Sequence, residues 1–139
     1  MVPFHDNFLS RKSSLLFQAI SSCISKLNLQ NTCLRGCNLS CNYIGTAGAE
    51  VIASGLKKNK TLRLMSFTSN SKIGYRGAQA ILNGGLDYLN LADCGLSEAE
   101  KKSITEEAKK CTPELKVSFS GDVSMFNVIA NEEGDRKLF

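Results

Sequence analysis

Six cysteines and one histidine are the side chains of this 139-residue chain that most often bind metals or act as nucleophiles. Cys33, Cys37 and Cys41 are evenly spaced. On a strand this spacing spreads them over about 27 Å, beyond the reach of one zinc ion. The single histidine, His5, lies near the N-terminus. A Ser-His or Cys-His nucleophile needs a histidine as its base, and the chain offers no other. We therefore predict neither enzymatic activity, nor a metal site, nor a cofactor.

The even number of cysteines would suggest disulfides in a secreted chain, but their positions favour free thiols. Cys23, Cys37 and Cys94 fall at core or turn positions where free cysteines serve as small apolar residues. The N-terminus carries no apolar signal segment, and no run approaches the ~18 apolar residues of a membrane helix. The sequence thus predicts a cytoplasmic protein with reduced cysteines and no membrane partner.

Basic residues and glycine-rich stretches are the next features that could bind a ligand, in this case phosphate. Lys57, Lys58 and Lys60 form a basic turn, and residues 45–48 and 74–77 both read G-x-x-G. The lysines fit a solvated loop at a helix end, and the two G-x-x-G stretches occupy equivalent positions of a repeat, where helix packing explains them. A net charge of +4 without a clustered basic stripe does not imply a polyanionic partner, so we do not predict nucleic-acid binding.

Two arginines occupy equivalent positions in successive repeats, and an aspartate follows in the third. Arg35 and Arg63 are the arginines, and Asp87 is the third member. A cross-strand ion pair between Arg63 and Asp87 is the plain interpretation. A contact for an anion or an acidic peptide at Arg35 and Arg63 is the sharper alternative.

Internal repeats organise the elements that carry these residues. Residues 31–49 align with residues 59–78, and the offset grows by one residue in the middle of the second copy. Residues 86–96 repeat the first half, and residues 114–119 form a partial fourth copy whose register is ambiguous. Such self-similarity predicts one strand-turn-helix unit per copy.

Alternation within each copy separates a core face from an outward face. Period-2 spacing directs one set of side chains inward; its members are Cys37, Leu39, Met65, Phe67, Leu89 and Leu91. A polar or thiol slot follows each strand, filled by Asn42, Asn70 and Cys94. A buried side chain there can bond to the backbone of its own turn and of the next coil.

The unit L-x-x-L-x-L-x-x-N/C-x-L, followed by I-G-x-x-G-A-x-x-I, resembles the ribonuclease-inhibitor subfamily of leucine-rich repeats over residues 31–119. The resemblance implies an α/β fold: a short solenoid with a parallel sheet of about four strands on the concave side and helices on the convex side. It also implies a scaffold that binds another protein.

Segments outside the repeats read as caps. Residues 1–12 form an N-terminal tail, residues 13–30 a capping helix with Leu16 and Ile20 on its apolar face, and residues 120–139 a C-terminal cap and polar tail. In the cap, four apolar side chains could cover the open end of the core; they are Val123, Phe126, Val128 and Ile129.

The helices have recognisable start and stop signals. Ser97 with Glu100 forms a capping box, after which Ile104, Ala108 and Cys111 continue one apolar face to Pro113. Glu98 with Lys102 and Glu106 with Lys110 are spaced for i, i+4 ion pairs. In the second repeat, Ser71 and Lys72 lengthen the turn, and residues 83–85 stop a shortened helix.

The predicted function is a non-enzymatic protein-protein interaction module that uses the concave face. Its predicted partner-binding residues are the outward neighbours of the core positions: Asn38, Ser40, Leu64, Ser66, Thr68, Tyr88 and Asn90. Tyr88 is the expected anchor. The alternative interpretation is that these residues are polar without binding a partner, because any solvent-facing sheet in a short solenoid is polar.

A different class of function remains open. The edge of the first repeat strand could pair with a second copy, giving a self-assembling structural protein and a homodimer. Catalysis by analogy with some family members rests on fold alone, and no residue supports it.

Overall fold

The computed structural model describes residues 35–121, which form a parallel α/β fold. In chain order the elements are β1 (Gly36–Asn38), α1 (Thr46–Lys58), β2 (Leu64–Ser66), α2 (Gly74–Leu82), β3 (Tyr88–Asn90), α3 (Glu98–Cys111) and β4 (Lys116–Ser118). The predicted tail 1–12, the capping helix 13–30 and nearly all of the C-terminal segment 120–139 lie outside the described residues. No helix within 35–121 is long and apolar enough to cross a membrane.

The four strands form one parallel sheet in the order β1-β2-β3-β4, and a helix connects each strand to the next. Met65 aligns with Cys37 on one side and with Leu89 on the other. Val117 aligns with Leu89, which settles the register of the last strand. The predicted parallel sheet of about four strands is confirmed.

The hydrophobic core lies between the sheet and the helices. Met65, Phe67, Leu89 and Leu91 are fully buried, as alternation predicts, while Cys37 and Leu39 are partly buried against the same cluster. Each helix contributes an isoleucine to that cluster, namely Ile52, Ile81 and Ile104. All three described helices therefore pack on one face of the sheet.

Asn70 organises the turn that follows β2. Its Nδ2 donates to the carbonyl oxygens of Phe67 (2.7 Å) and Leu39 (3.0 Å), and its Oδ1 accepts from the backbone N–H groups of Asn42 (3.0 Å) and Ile44 (2.9 Å). The predicted ladder between coils is thus present at Asn70. The predicted direction was wrong, because Asn70 bonds to the preceding coil and not to the next one. Spacing along the chain does not reveal on which side a turn is stacked.

The helix ends largely follow their sequence signals. The Ser97–Glu100 capping box is present, with Glu100 N–H donating to Ser97 Oγ (3.2 Å). Helix α2 is short, as predicted, and stops at residues 83–85, where Gly85 adopts φ +74°. A Cβ on Gly84 would lie 2.9 Å from Leu56 Cδ1, so this stop is packed closely against α1.

Two details of α3 differ from expectation. Cys111 is exposed and does not continue the buried face, because it occupies the last turn of the helix, beyond the sheet. Glu98 pairs with Lys101 at 2.7 Å and not with Lys102. Both i, i+3 and i, i+4 neighbours lie within reach on a helix, and spacing alone does not choose between them.

Gly77 explains why the G-x-x-G stretches need small residues. A Cβ at this position would lie 2.8 Å from Ile73 Cγ2 and 3.2 Å from Ala49 Cβ. Because contacts under 3.0 Å require something to move, a larger residue would separate α2 from α1. Helix packing therefore accounts for this glycine without a phosphate ligand.

Candidate protein-binding face

The predicted binding residues lie on the face of the sheet opposite the helices, here called the distal face. Its first row is Gly36, Leu64, Tyr88 and Lys116, its second row is Asn38, Ser66, Asn90 and Ser118, and its third, just beyond the strands, is Ser40, Thr68, Ala92 and Ser120. Parallel strands lie about 4.8 Å apart, so each row is a ladder of neighbouring side chains. Asn38, Ser66 and Asn90 are aligned across the first three strands.

The side chains of the second row accept hydrogen bonds from the backbone of the turns that follow the strands. Asn38 Oδ1 accepts from Ser40 N–H (3.0 Å), and Asn90 Oδ1 accepts from Ala92 N–H (3.0 Å). Ser66 and Ser118 accept in the same way from the residue two positions later. Short polar side chains commonly satisfy turn backbone like this. The polarity of the row is therefore explained without a ligand.

Hydroxyl groups also bond to one another across the first two strands. Ser66 Oγ lies 3.1 Å from Ser40 Oγ and 3.0 Å from Thr68 Oγ1. Ser40 Oγ donates in turn to Asn38 Oδ1. Side chains that satisfy each other are held in fixed rotamers, so this corner of the distal face is an ordered polar surface.

Burial divides the predicted binding residues into two groups. Asn38 is exposed, and Ser40, Thr68 and Tyr88 are half-buried. Leu64 and Ser66 have 0% of their surface exposed and Asn90 has 3%. The predicted exposure of Leu64, Ser66 and Asn90 was therefore wrong. Alternation determines on which face a strand residue lies, but it contains no information about what covers that face.

The charged pair at the start of the strands is as predicted. Arg63 Nη1 lies 3.5 Å from Asp87 Oδ1, and both side chains are about half exposed. An exposed pair of this kind contributes little to stability. Arg35 immediately precedes β1, and its carbonyl accepts from Arg63 N–H (2.8 Å). Asp87 partly neutralises Arg63, and the anion contact predicted at Arg35 and Arg63 stays a prediction.

The four described cysteines are free, as predicted, while Cys23 and Cys33 lie outside the described residues. Cys94 is buried, and burial raises its pKa to about 11. Burial also raises the pKa of Cys37. Protonated thiols are poor nucleophiles and poor metal ligands. Within residues 35–121, no three His, Cys, Asp or Glu side chains come together to hold a metal ion.

Tyr43 is a surface feature that the sequence reasoning missed. Its side chain is 91% exposed. Its backbone φ of 55° lies in the left-handed region, which large residues rarely adopt. In the third repeat the corresponding residue is Gly95, with φ +76°. An aromatic residue at a position where another copy has glycine was the available signal.

A second missed cluster joins α2 to α3. The Tyr75 hydroxyl donates to Glu107, and Gln79 Nε2 lies 3.1 and 3.0 Å from the two carboxylate oxygens of the same residue. These hydrogen bonds lower the pKa of Glu107, and the bond to Glu107 raises the pKa of Tyr75. The cluster links α2 to α3, on the side of the sheet away from the distal face.

No family model matches the chain, and no curated protein or solved structure is similar to it.

Proposed function

We propose that the chain is a short leucine-rich-repeat solenoid of the ribonuclease-inhibitor type that binds another protein through its distal face. The in-register distal face is the observation that carries the proposal. Four parallel strands present three ladders of side chains, and within residues 35–121 every helix packs on the opposite side. A protein ligand that lies across several strands would meet equivalent positions at regular intervals.

The accessible part of that face sets the contact surface. Asn38, Ser40, Thr68 and Tyr88 have solvent-exposed surface, and Arg35 and Arg63 flank them. Tyr88 is the anchor, because tyrosine combines a large apolar ring with a polar tip and is enriched at the centres of interfaces. The polar residues around it would supply hydrogen bonds and exclude water.

Binding is tested by capture of the partner from a native lysate, followed by affinity measurements with purified components. Tyr88→Ala should weaken binding by at least about 1 kcal/mol, roughly fivefold in Kd. Tyr43→Ala is the matched control, since it removes an equally large side chain away from the distal face. Loss of binding on mutating Lys57, Lys58 and Lys60, with Tyr88→Ala unaffected, would place the site at the loop edge.

Self-assembly through the β1 edge is the second candidate, and the turn after β1 supports it. The Asn42 side chain is exposed and, within the described residues, donates only to Ser40 O of its own turn. The Asn70 side chain in the same slot bonds in addition to three backbone groups of the preceding coil. The exposed Tyr43 lies beside it. An additional strand and turn could therefore stack on this end.

The assembly hypothesis makes a backbone-specific prediction. Leu39 N–H donates to Ser66 O, so by alternation Asn38 N–H points away from β2. Asn38→Pro removes that outward donor and should abolish a concentration-dependent dimer in sedimentation experiments, whereas Asn38→Ala should not. A monomer at all concentrations would exclude this candidate.

We also propose a reducing compartment, the cytoplasm, as the place of action. Exposed free thiols at Cys41 and Cys111 support it, because unpaired exposed cysteines persist where thiols are kept reduced.

A further inference from the structure

Positive charge is concentrated at one edge of the sheet. The described helices run back against the strands, so the ends of the helices and the starts of the strands meet at this edge. Its basic residues, here called the basic edge, are Arg35, Lys57, Lys58, Lys60, Arg63, Lys109, Lys110 and Lys116. Asp87 and Glu114 are the acidic residues among them. The opposite edge is balanced, with Lys72, Arg76, Lys101 and Lys102 beside Glu50, Asp93, Glu98 and Glu100.

The sheet brings together basic residues that are far apart along the chain. Arg35 carbonyl accepts from Arg63 N–H (2.8 Å), Arg63 carbonyl accepts from Asp87 N–H (2.8 Å), and Asp87 carbonyl accepts from Lys116 N–H (3.0 Å). These four residues therefore form one line across the starts of the strands. The sequence has no clustered basic stripe, and the fold creates a basic edge from separate repeats.

The turn between α1 and β2 presents two of the lysines on a fixed backbone. Lys58 and Lys60 are exposed on either side of Asn59, which is 7% exposed. Asn59 Oδ1 accepts from Thr61 N–H (2.8 Å) and Leu62 N–H (2.7 Å), and Asn59 N–H donates to carbonyls of the last turn of α1. A turn held in this way is preorganised, so binding a ligand there costs little ordering of the backbone.

The charge of the basic edge is largely uncompensated. Within residues 35–121 none of its six lysines forms an ion pair, whereas at the opposite edge Arg76 pairs with Glu50 (2.9 Å) and Lys101 with Glu98 (2.7 Å). Lysines in the last turn of a helix favour the helix dipole, which accounts for those of α1 and α3. It does not account for Lys60 or Lys116, which follow the helices.

We infer that the basic edge binds an acidic segment of the protein partner, an inference that rests on the proposed function. Arg63 and Asp87 directly precede Leu64 and Tyr88 of the distal face, so one partner can contact both surfaces. Opposite charges at the rim of an interface steer the partner and speed its association.

The arrangement of the charges favours an acidic protein segment over a nucleic acid. The uncharged end of α2, residues 83–85, separates the lysines of α1 from those of α3, and Asp87 lies between Arg63 and Lys116. A nucleic-acid backbone is typically bound along a basic stripe, often beside aromatic side chains that stack on bases. The 91% exposed Tyr43 follows β1 and lies at the opposite edge.

Fluorescence anisotropy with a labelled deca-glutamate peptide tests the inference on the full chain. Lys58→Gln with Lys60→Gln should weaken binding at least about fivefold, because two exposed charges leave the basic edge. Raising NaCl from about 50 mM to about 200 mM should weaken binding to the unchanged chain at least about fivefold, because salt screens exposed charges.

Two controls separate the basic edge from net charge and from misfolding. Lys72→Gln with Lys102→Gln removes the same charge from the opposite edge and should change the affinity less than about twofold. Asp87→Asn removes a carboxylate from between the basic residues and should tighten binding at least about twofold, a gain that a misfolded chain would not show.

Three results would overturn the inference: equal losses for the two lysine pairs, no gain for Asp87→Asn, or tighter binding of labelled decathymidylate than of deca-glutamate, which would assign the basic edge to nucleic acid. The peptide probe replaces the native partner, so failure of this experiment is distinguishable from failure of the Tyr88 binding experiment.

Discussion

Replacing Asn70 by alanine tests whether the slot after β2 holds adjacent coils together. The side chain is 1% exposed and has bonds on both sides of its carboxamide. Alanine removes all of them, and a water molecule in the vacated space can replace only some of these bonds. The free energy of unfolding should therefore fall.

The size of the loss in unfolding free energy depends on which hydrogen-bond partners of Asn70 would find no replacement. Ile44 N–H is in a fully buried residue and would lose its acceptor, a cost of about 1–3 kcal/mol. Phe67 carbonyl would keep Cys94 Sγ as a donor at 3.2 Å, and Asn42 N–H lies in an exposed residue that water can reach. Adding about 1 kcal/mol for the remaining bond to Leu39, we expect a total loss of about 2–4 kcal/mol.

Urea unfolding followed by circular dichroism measures the change, with an unchanged m-value required for the comparison. Asn42→Ala is the matched control: the same substitution in the same slot of an exposed turn should cost less than about 0.5 kcal/mol. Equal losses for the two variants would refute the argument that burial of the carboxamide, and not the residue type, determines its contribution.

Three further outcomes are expected. Leu89→Ala should cost about 2–5 kcal/mol because it opens a cavity in the core, whereas Lys102→Ala on the solvent side should cost under about 0.5 kcal/mol in the same assay. Counting thiols in denaturant without reductant should give six, and in the folded protein at pH 8 Cys94, with its pKa raised to about 11, should be alkylated slowly. Tyr75 should ionise above the usual pH of a tyrosine, and Glu107→Gln should lower its pKa in an absorbance titration. Because that folded-state pKa is raised, the stabilising contribution is present at neutral pH and disappears as the pH rises through it.

The sequence contained enough to predict the sheet and the core. The repeat gave the number of strands and their parallel direction, and alternation gave the buried face, because a strand residue can point only to one side or the other. Met65, Phe67, Leu89 and Leu91 are buried for that reason. The helix start at the capping box and the helix stop at the glycines could also be predicted, because both signals act within a few residues of the chain.

The candidate site was harder to predict because exposure depends on distant parts of the chain. Tyr88 and Ser66 are both on the distal face by alternation, yet one is half-buried and the other has no exposed surface. No local pattern distinguishes them. Likewise, the polar residues at the strand ends were expected to serve a partner, whereas each accepts a hydrogen bond from the turn that follows it.

The longer turn of the second repeat and the cysteine in the slot of the third repeat are one structural change. In the first repeat, Ile44 N–H needs Asn70 Oδ1 as its acceptor. In the second, the turn Ser71-Lys72 is one residue longer, so the equivalent Ile73 N–H bonds to the backbone carbonyl of Asn70 (3.1 Å), and Gly74 N–H bonds to Cys94 carbonyl (2.9 Å). The next slot then has one N–H fewer to accept, and the Cys94 thiol, which accepts from the Asn70 backbone and donates to Phe67 carbonyl, is sufficient there. An asparagine at position 94 would bring an acceptor for two N–H groups to a slot that now offers only that of Asn70. The longer turn and the thiol therefore belong together, and a sequence comparison that treats them as separate defects misses their common cause.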